Sequence, residues 1–147
     1  MCLRTNGVII FSVFLVIFLV SPLMSQMKNI SSFTGVKIPY NLKHEDTTIE
    51  KGEYDIEILI SEVPSGQMFF LAIKHKGNRL CLLPGEELQY DTIMPKEQLK
   101  DPDIPDDPRI EMKRHPITKM FYMIWESGKK AWFYPLRIVR FKIQSEE

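Results

Sequence analysis

Cysteine is scarce in this chain: there are only Cys2 and Cys81. If the N-terminal segment is removed, Cys81 stands alone and no intrachain disulfide is possible. Stability must then come from an apolar core. Cys81 sits in RLCLL, where apolar neighbours point to a buried, inert thiol; an exposed thiol pairing two chains is the alternative. Net charge is also missing, with 19 basic residues against 19 acidic, so bulk charge favours no polyanionic partner. There is no Gly-x-Ser-x-Gly elbow, no glycine pattern that cradles phosphate, and no cysteine in a motif-like setting. Only three histidines occur, His44, His75 and His115, and none has the His-x-x-x-His or Glu-x-x-His spacing of a helical metal site. These absences argue against nucleophilic catalysis and against metal binding, and no cofactor is called for. A small hydrolase built from paired carboxylates survives only as a contrasting alternative, because so short a chain leaves little room for a deep cleft.

What is present begins with an apolar N-terminus. One cation, Arg4, precedes a run from Val8 to Val20 broken only by Ser12; Ser21-Pro22 then interrupts it and small Ser25 follows. This is the order of a secretory signal peptide cut after about Ser25. The alternative is an uncleaved anchor over residues 8–24, whose 17 residues span about 25 Å of helix against a hydrocarbon core about 30 Å thick. No cysteine near the cut supports a lipoprotein. The expected organisation is a signal segment at 1–25 and one β domain at 26–147, secreted or periplasmic.

Alternation dominates the remainder and helical periodicity is nearly absent. In YDIEILI, Tyr54, Ile56, Ile58 and Ile60 share one face, with Asp55 and Glu57 opposite. MFFLAIKH and RLCLL flank Lys76-Gly77-Asn78, a tight hairpin turn. VKIPY alternates as well, and Pro39 removes a backbone donor, which predicts an edge strand or a strand end. RIEMKRH, MFYMIW, AWFYPL and RIVRFKI follow, the last with Ile138, Arg140 and Lys142 on one side and Val139, Phe141 and Ile143 on the other. The expectation is an all-β fold, an antiparallel sandwich or small barrel of about seven to eight strands after the signal helix.

Between the strand groups, residues 84–109 hold Pro84, Pro95, Pro102, Pro105 and Pro108, which predicts a long connection with at most a turn or two of helix in MPKEQLK. DPDIPDD offers Asp101, Asp103, Asp106 and Asp107, but calcium loops need glycine where this segment has proline, so a solvated acidic linker is expected. This stretch carries a net charge of −5 and residues 110–147 a net +4. Two arrangements fit this separation: the acids lie across the basic strands, or the basic face meets anionic lipid or glycan.

IPYNL, IEKGEYDIEI, and RIEMKRH leading into MFYMIW resemble a pattern in small exported bacterial proteins of uncharacterised function. The matching residues are Pro39, Tyr40, Gly52, Tyr54, Arg114, Phe121, Tyr122 and Trp125. The resemblance implies an all-β secreted domain and carries no activity or ligand.

MFYMIWESGKKAWFYPL concentrates the aromatics. It reads as a hairpin with a Glu126-Ser127-Gly128 loop, Gly128 in the left-handed position, pairing Tyr122 with Trp132, Phe121 with Phe133 and Met123 with Ala131. Tyr122, Trp125, Trp132 and Tyr134 are the candidate ligand-binding residues; no catalytic residue is nominated. The function expected is an exported, non-catalytic binding or scaffold module at the cell envelope, its partner a protein, glycan or lipid. A barrel carrying an apolar ligand is the alternative. Nucleic acid is disfavoured by export, and a membrane partner arises only if the N-terminal segment is retained.

Overall fold

A computed structural model of the chain describes residues 26–89, 104–129 and 137–146. The expected signal segment, the MPKEQLK turn, Asp101, Asp103, Trp132 and Tyr134 lie outside the described residues. Nine strands appear and, among the described residues, no helix. They are β1 (Lys28–Ile38), β2 (Leu42–His44), β3 (Thr47–Ile49), β4 (Gly52–Val63), β5 (Gly66–His75), β6 (Asn78–Leu88), β7 (Arg109–Arg114), β8 (Met120–Glu126) and β9 (Ile138–Ser145). All pairings are antiparallel, and the sheet runs β1-β4-β5-β6-β9-β2-β3 with β8 and then β7 on the far edge of β9. The sheet is not closed, so the closed-barrel alternative gives way.

Strand formation follows the period-two pattern. Tyr54, Ile56, Ile58 and Ile60 of β4 all face the core, and so do Val139, Phe141 and Ile143 of β9. Burial of each such side chain stabilises the fold by about 1.5–3 kcal/mol. β1 pairs only with β4 and ends just before Pro39, as a missing donor requires. Two register shifts bend this strand, which blunts an otherwise long free edge. The β5–β6 loop is the two residues Lys76 and Gly77, with φ of 49° and 81°; both are positive, the geometry of a type I′ turn.

Two features extend the strands beyond those expected. NLKHEDTTIE, where no strand was expected, forms the short hairpin β2–β3, anchored by buried Leu42 and Ile49. Pro84 to Leu88, expected as the start of the long connection, continues β6. That strand pairs with β5 as far as Pro84 and with β9 from Gly85 onward. A Cβ on Gly85 would lie 2.5 Å from Val139 Cγ1 and 2.7 Å from Phe141 Cε1, so β9 comes this close only because residue 85 has no side chain.

This transfer lets the sheet fold over on itself. Phe69 of β5 meets Trp125 of β8 with ring centroids 6.0 Å apart, although the two strands share no ladder. One core therefore draws on β4, β5 and β6 from one half and on β8 and β9 from the other. At the entrance to β4, the Tyr54 hydroxyl donates to the Glu50 carbonyl at 2.6 Å, and its ring lies over Gly52. This is the geometry of a tyrosine corner. Cys81 is free and buried in the same core, and burial pushes its thiol up to about 11.

The register expected for the aromatic hairpin is wrong. Both edges of β8 are taken: Tyr122 lies opposite Lys113 of β7 and Lys142 of β9, and Phe121 lies opposite Arg114 and Ile143. Tyr122 thus has no edge left for Trp132. Gly128 does adopt a left-handed φ of 76°, and a Cβ there would also fall 2.6 Å from the Asp107 carbonyl carbon, so the position favours glycine on both counts. Ser127 exchanges hydrogen bonds with Arg137, through its amide to the Arg137 carbonyl and its hydroxyl from the Arg137 amide.

Candidate functional site

Alternation divides β8 into two sets. Phe121, Met123 and Trp125 face the core, and Tyr122, Ile124 and Glu126 take the opposite face, where Ile124 and Glu126 are also buried and Tyr122 is partly exposed. Trp125, a candidate ligand-binding residue, is 1% exposed and packs in the core. Its indole Nε1 has no hydrogen-bond partner among the described residues. Of the four candidate residues, Tyr122 alone is described at an outer surface.

Tyr122 is half-buried at the centre of a basic and aromatic face formed by β7, β8, β9 and the end of β6. The Arg140 guanidinium lies over its ring, 5.4 Å from the centroid, a cation–π arrangement. His115 meets the ring edge-on at 6.5 Å. Lys113 and Lys142 occupy the neighbouring positions on the two flanking strands.

Two glutamates, Glu86 and Glu111, hold these cations in place. Glu86 accepts from Arg140 at 2.9 Å and pairs with Lys142 at 3.0 Å. These hydrogen bonds, from Arg140 first and then Lys142, hold its carboxyl below the usual range. Glu111 pairs with Lys113 at 3.4 Å and approaches Arg109 at 3.8 Å. Glu126, only 2% exposed, faces Arg109 at 3.1 Å. Glu87 pairs with Arg137 beside this face. The first acids of the acidic stretch thus lie beside the basic strand β9, by strand pairing and not by a loop crossing over. Exposed pairs of this kind add little stability, commonly 0–1 kcal/mol. Their effect is to orient the lysines and Arg140 around Tyr122 while leaving Lys113 60% and Lys142 47% exposed.

Such a face can bind an anion or stack a planar group. The three histidines are dispersed: His44 ends β2, His75 packs on Tyr54, and His115 borders Tyr122. Among the described residues, no group of three or more His, Cys, Asp or Glu side chains is placed to hold a metal ion. The pattern of RIVRFKI puts Arg140 and Lys142 on one side, but Glu86 was missed as their partner because residues 84–109 were expected as one long connection. No family model matches the chain, and neither a curated protein nor a solved structure matches it.

Proposed function

We propose that this chain is an exported, non-catalytic β domain, a sandwich of two sheet halves, that acts as a binding module at the cell envelope. Its contact surface is the outer face centred on Tyr122, and its partner is an anionic envelope component. The observation that carries this reading is Tyr122 with Arg140 on its ring and lysines on both flanking strands. An open sheet around an apolar core supports a scaffold over a carrier, which would need a closed barrel around a cavity. Export rests on the order of features before Ser25 and on the resemblance to small exported proteins. Among the described residues no helix is long and apolar enough to cross a membrane.

Binding to anionic vesicles and to an acidic polysaccharide, measured across a salt series, tests the reading. Tyr122→Ala should weaken binding about fivefold or more, the loss expected for a partly desolvated cation–π partner. Lys113→Glu with Lys142→Glu should weaken it further and flatten the salt dependence. Unchanged affinity in both variants would remove the face from consideration. Intact mass of the secreted product tests export separately, since retention of Met1 would make the chain an anchored protein.

A further inference from the structure

We propose that the β7–β8 turn, Pro116 to Lys119, is a tip that docks on an anionic bilayer surface, with Ile117 entering the headgroup layer and Lys113, Arg114 and Lys119 meeting lipid phosphate. The proposal deepens the envelope-binding reading and rests on it for the sign of the partner's charge.

Ile117 is 84% exposed, far more than Met27 or Met68, the other exposed large apolar residues among those described. One exposed isoleucine carries no argument alone. Three further observations concern the same turn. The first is its backbone. Pro116 has no amide hydrogen, and the amides of Ile117 and Thr118 both donate to His115 Nδ1, at 3.2 and 3.1 Å. The His115 amide donates to the Met120 carbonyl at 2.7 Å. The amides of Ile117 and Thr118, on either side of the tip's apolar side chain, are thus already satisfied within the turn, which lowers the cost of entering a less polar layer.

The second is charge. KRHPITKM, residues 113–120, has three bases and no acid. Lys113 and Arg114 are successive in a strand and project to opposite faces, so cations flank the tip on both sides. Arg114 also lies on the Tyr40 ring, 4.7 Å from its centroid. A lysine or arginine near an anionic membrane surface contributes about 1 kcal/mol, roughly fivefold in affinity. The third is anchorage: the Ser145 amide donates to the Lys119 carbonyl at 2.7 Å, tying the turn to the end of β9. A turn held in shape loses little freedom on docking.

The test is a site-specific probe on the full chain, because the apolar N-terminal run can bind vesicles by itself. Thr118→Cys is labelled with nitrobenzoxadiazole in a Cys2→Ser background, with Gln67→Cys in the β4–β5 hairpin as the control position. On vesicles of phosphatidylglycerol and phosphatidylcholine, the Thr118 probe should shift to the blue and brighten; the Gln67 probe should not. Phosphatidylcholine alone should leave both unchanged. Ile117→Asp should abolish the shift, and Lys119→Glu should raise the lipid concentration needed by about fivefold or more. A probe that stays water-like while the protein sediments with anionic vesicles overturns the proposal. So does a probe that responds to an acidic polysaccharide and not to vesicles. If Tyr122→Ala prevents sedimentation while the tip stays silent, the outer-face reading stands and the tip is refuted. Absence of binding to vesicles and polysaccharide alike overturns both.

Discussion

Replacing Gly85 with alanine should loosen the junction between the two halves of the fold. The new methyl would sit 2.5 Å from Val139 Cγ1 and 2.7 Å from Phe141 Cε1, both on side chains with no solvent exposure. Carbon atoms pack best at about 3.5–4.0 Å, so one neighbour must retreat by about 1 Å into a filled interior. Overpacking of this kind costs about 1–3 kcal/mol. Restricting the unfolded chain offsets about 0.4–1 kcal/mol of it, which leaves a net loss of about 1–2 kcal/mol. With a urea m-value of about 1.5 kcal/mol/M, the unfolding midpoint should fall by about 1 M. The loss is local to the place where β6 leaves β5 for β9, so amides of β9 should exchange faster than those of β4. Combining Gly85→Ala with Phe141→Leu should cost less than the sum of the two single changes by about 0.5 kcal/mol or more, because the smaller side chain makes room. A neutral or stabilising Gly85→Ala, or strict additivity with Phe141→Leu, would refute the close approach and with it the corner.

Three further outcomes are expected. Cys81 should resist alkylation at pH 8 until denaturant is added, because with its thiol near 11 only about one in a thousand is ionised. The neutral thiol is the form favoured in the fold, so its contribution to stability is fully present below the ordinary value of 9.0 and fades as pH rises toward 11. The difference between wild type and Cys81→Ala across that window measures it. Glu86 should titrate below the ordinary value of 4.5 in a carboxyl-resolved NMR experiment. Its contribution is present above the unfolded value and lost as pH falls through the depressed one, and Arg140→Gln should raise it more than Lys142→Gln. Tyr54→Phe keeps the ring over Gly52 and deletes the bond to Glu50, so urea unfolding should report a loss of about 0.5–1.5 kcal/mol; no loss would mean the corner is held by packing alone.

The amino-acid sequence alone determined the strand class and much of the facing. Alternation in YDIEILI and RIVRFKI marked Ile56, Ile58, Phe141 and Ile143 as inward, because successive side chains in a strand must point to opposite faces. Lys76-Gly77 and Pro39 marked a turn and a strand end, through positive φ and a missing donor. Periodicity cannot say which strand lies alongside, and there the tertiary structure decided. Strand alternation puts Phe121 and Trp125 on one face, but only the pairing of β8 with β7 and β9 made that face the core and placed lysines beside Tyr122. Leu59, Ile124 and Ile138 alternate onto the opposite side from the main core residues and are nonetheless buried, a consequence of neighbours no local pattern encodes. The short β2 and β3, too brief to show a period, exist because Leu42 and Ile49 find the core. Glu86 became part of the candidate site when β6 ran past Pro84 to reach Arg140, a contact between residues 54 positions apart. Local chemistry sets which way a side chain points; long-range pairing sets what it meets.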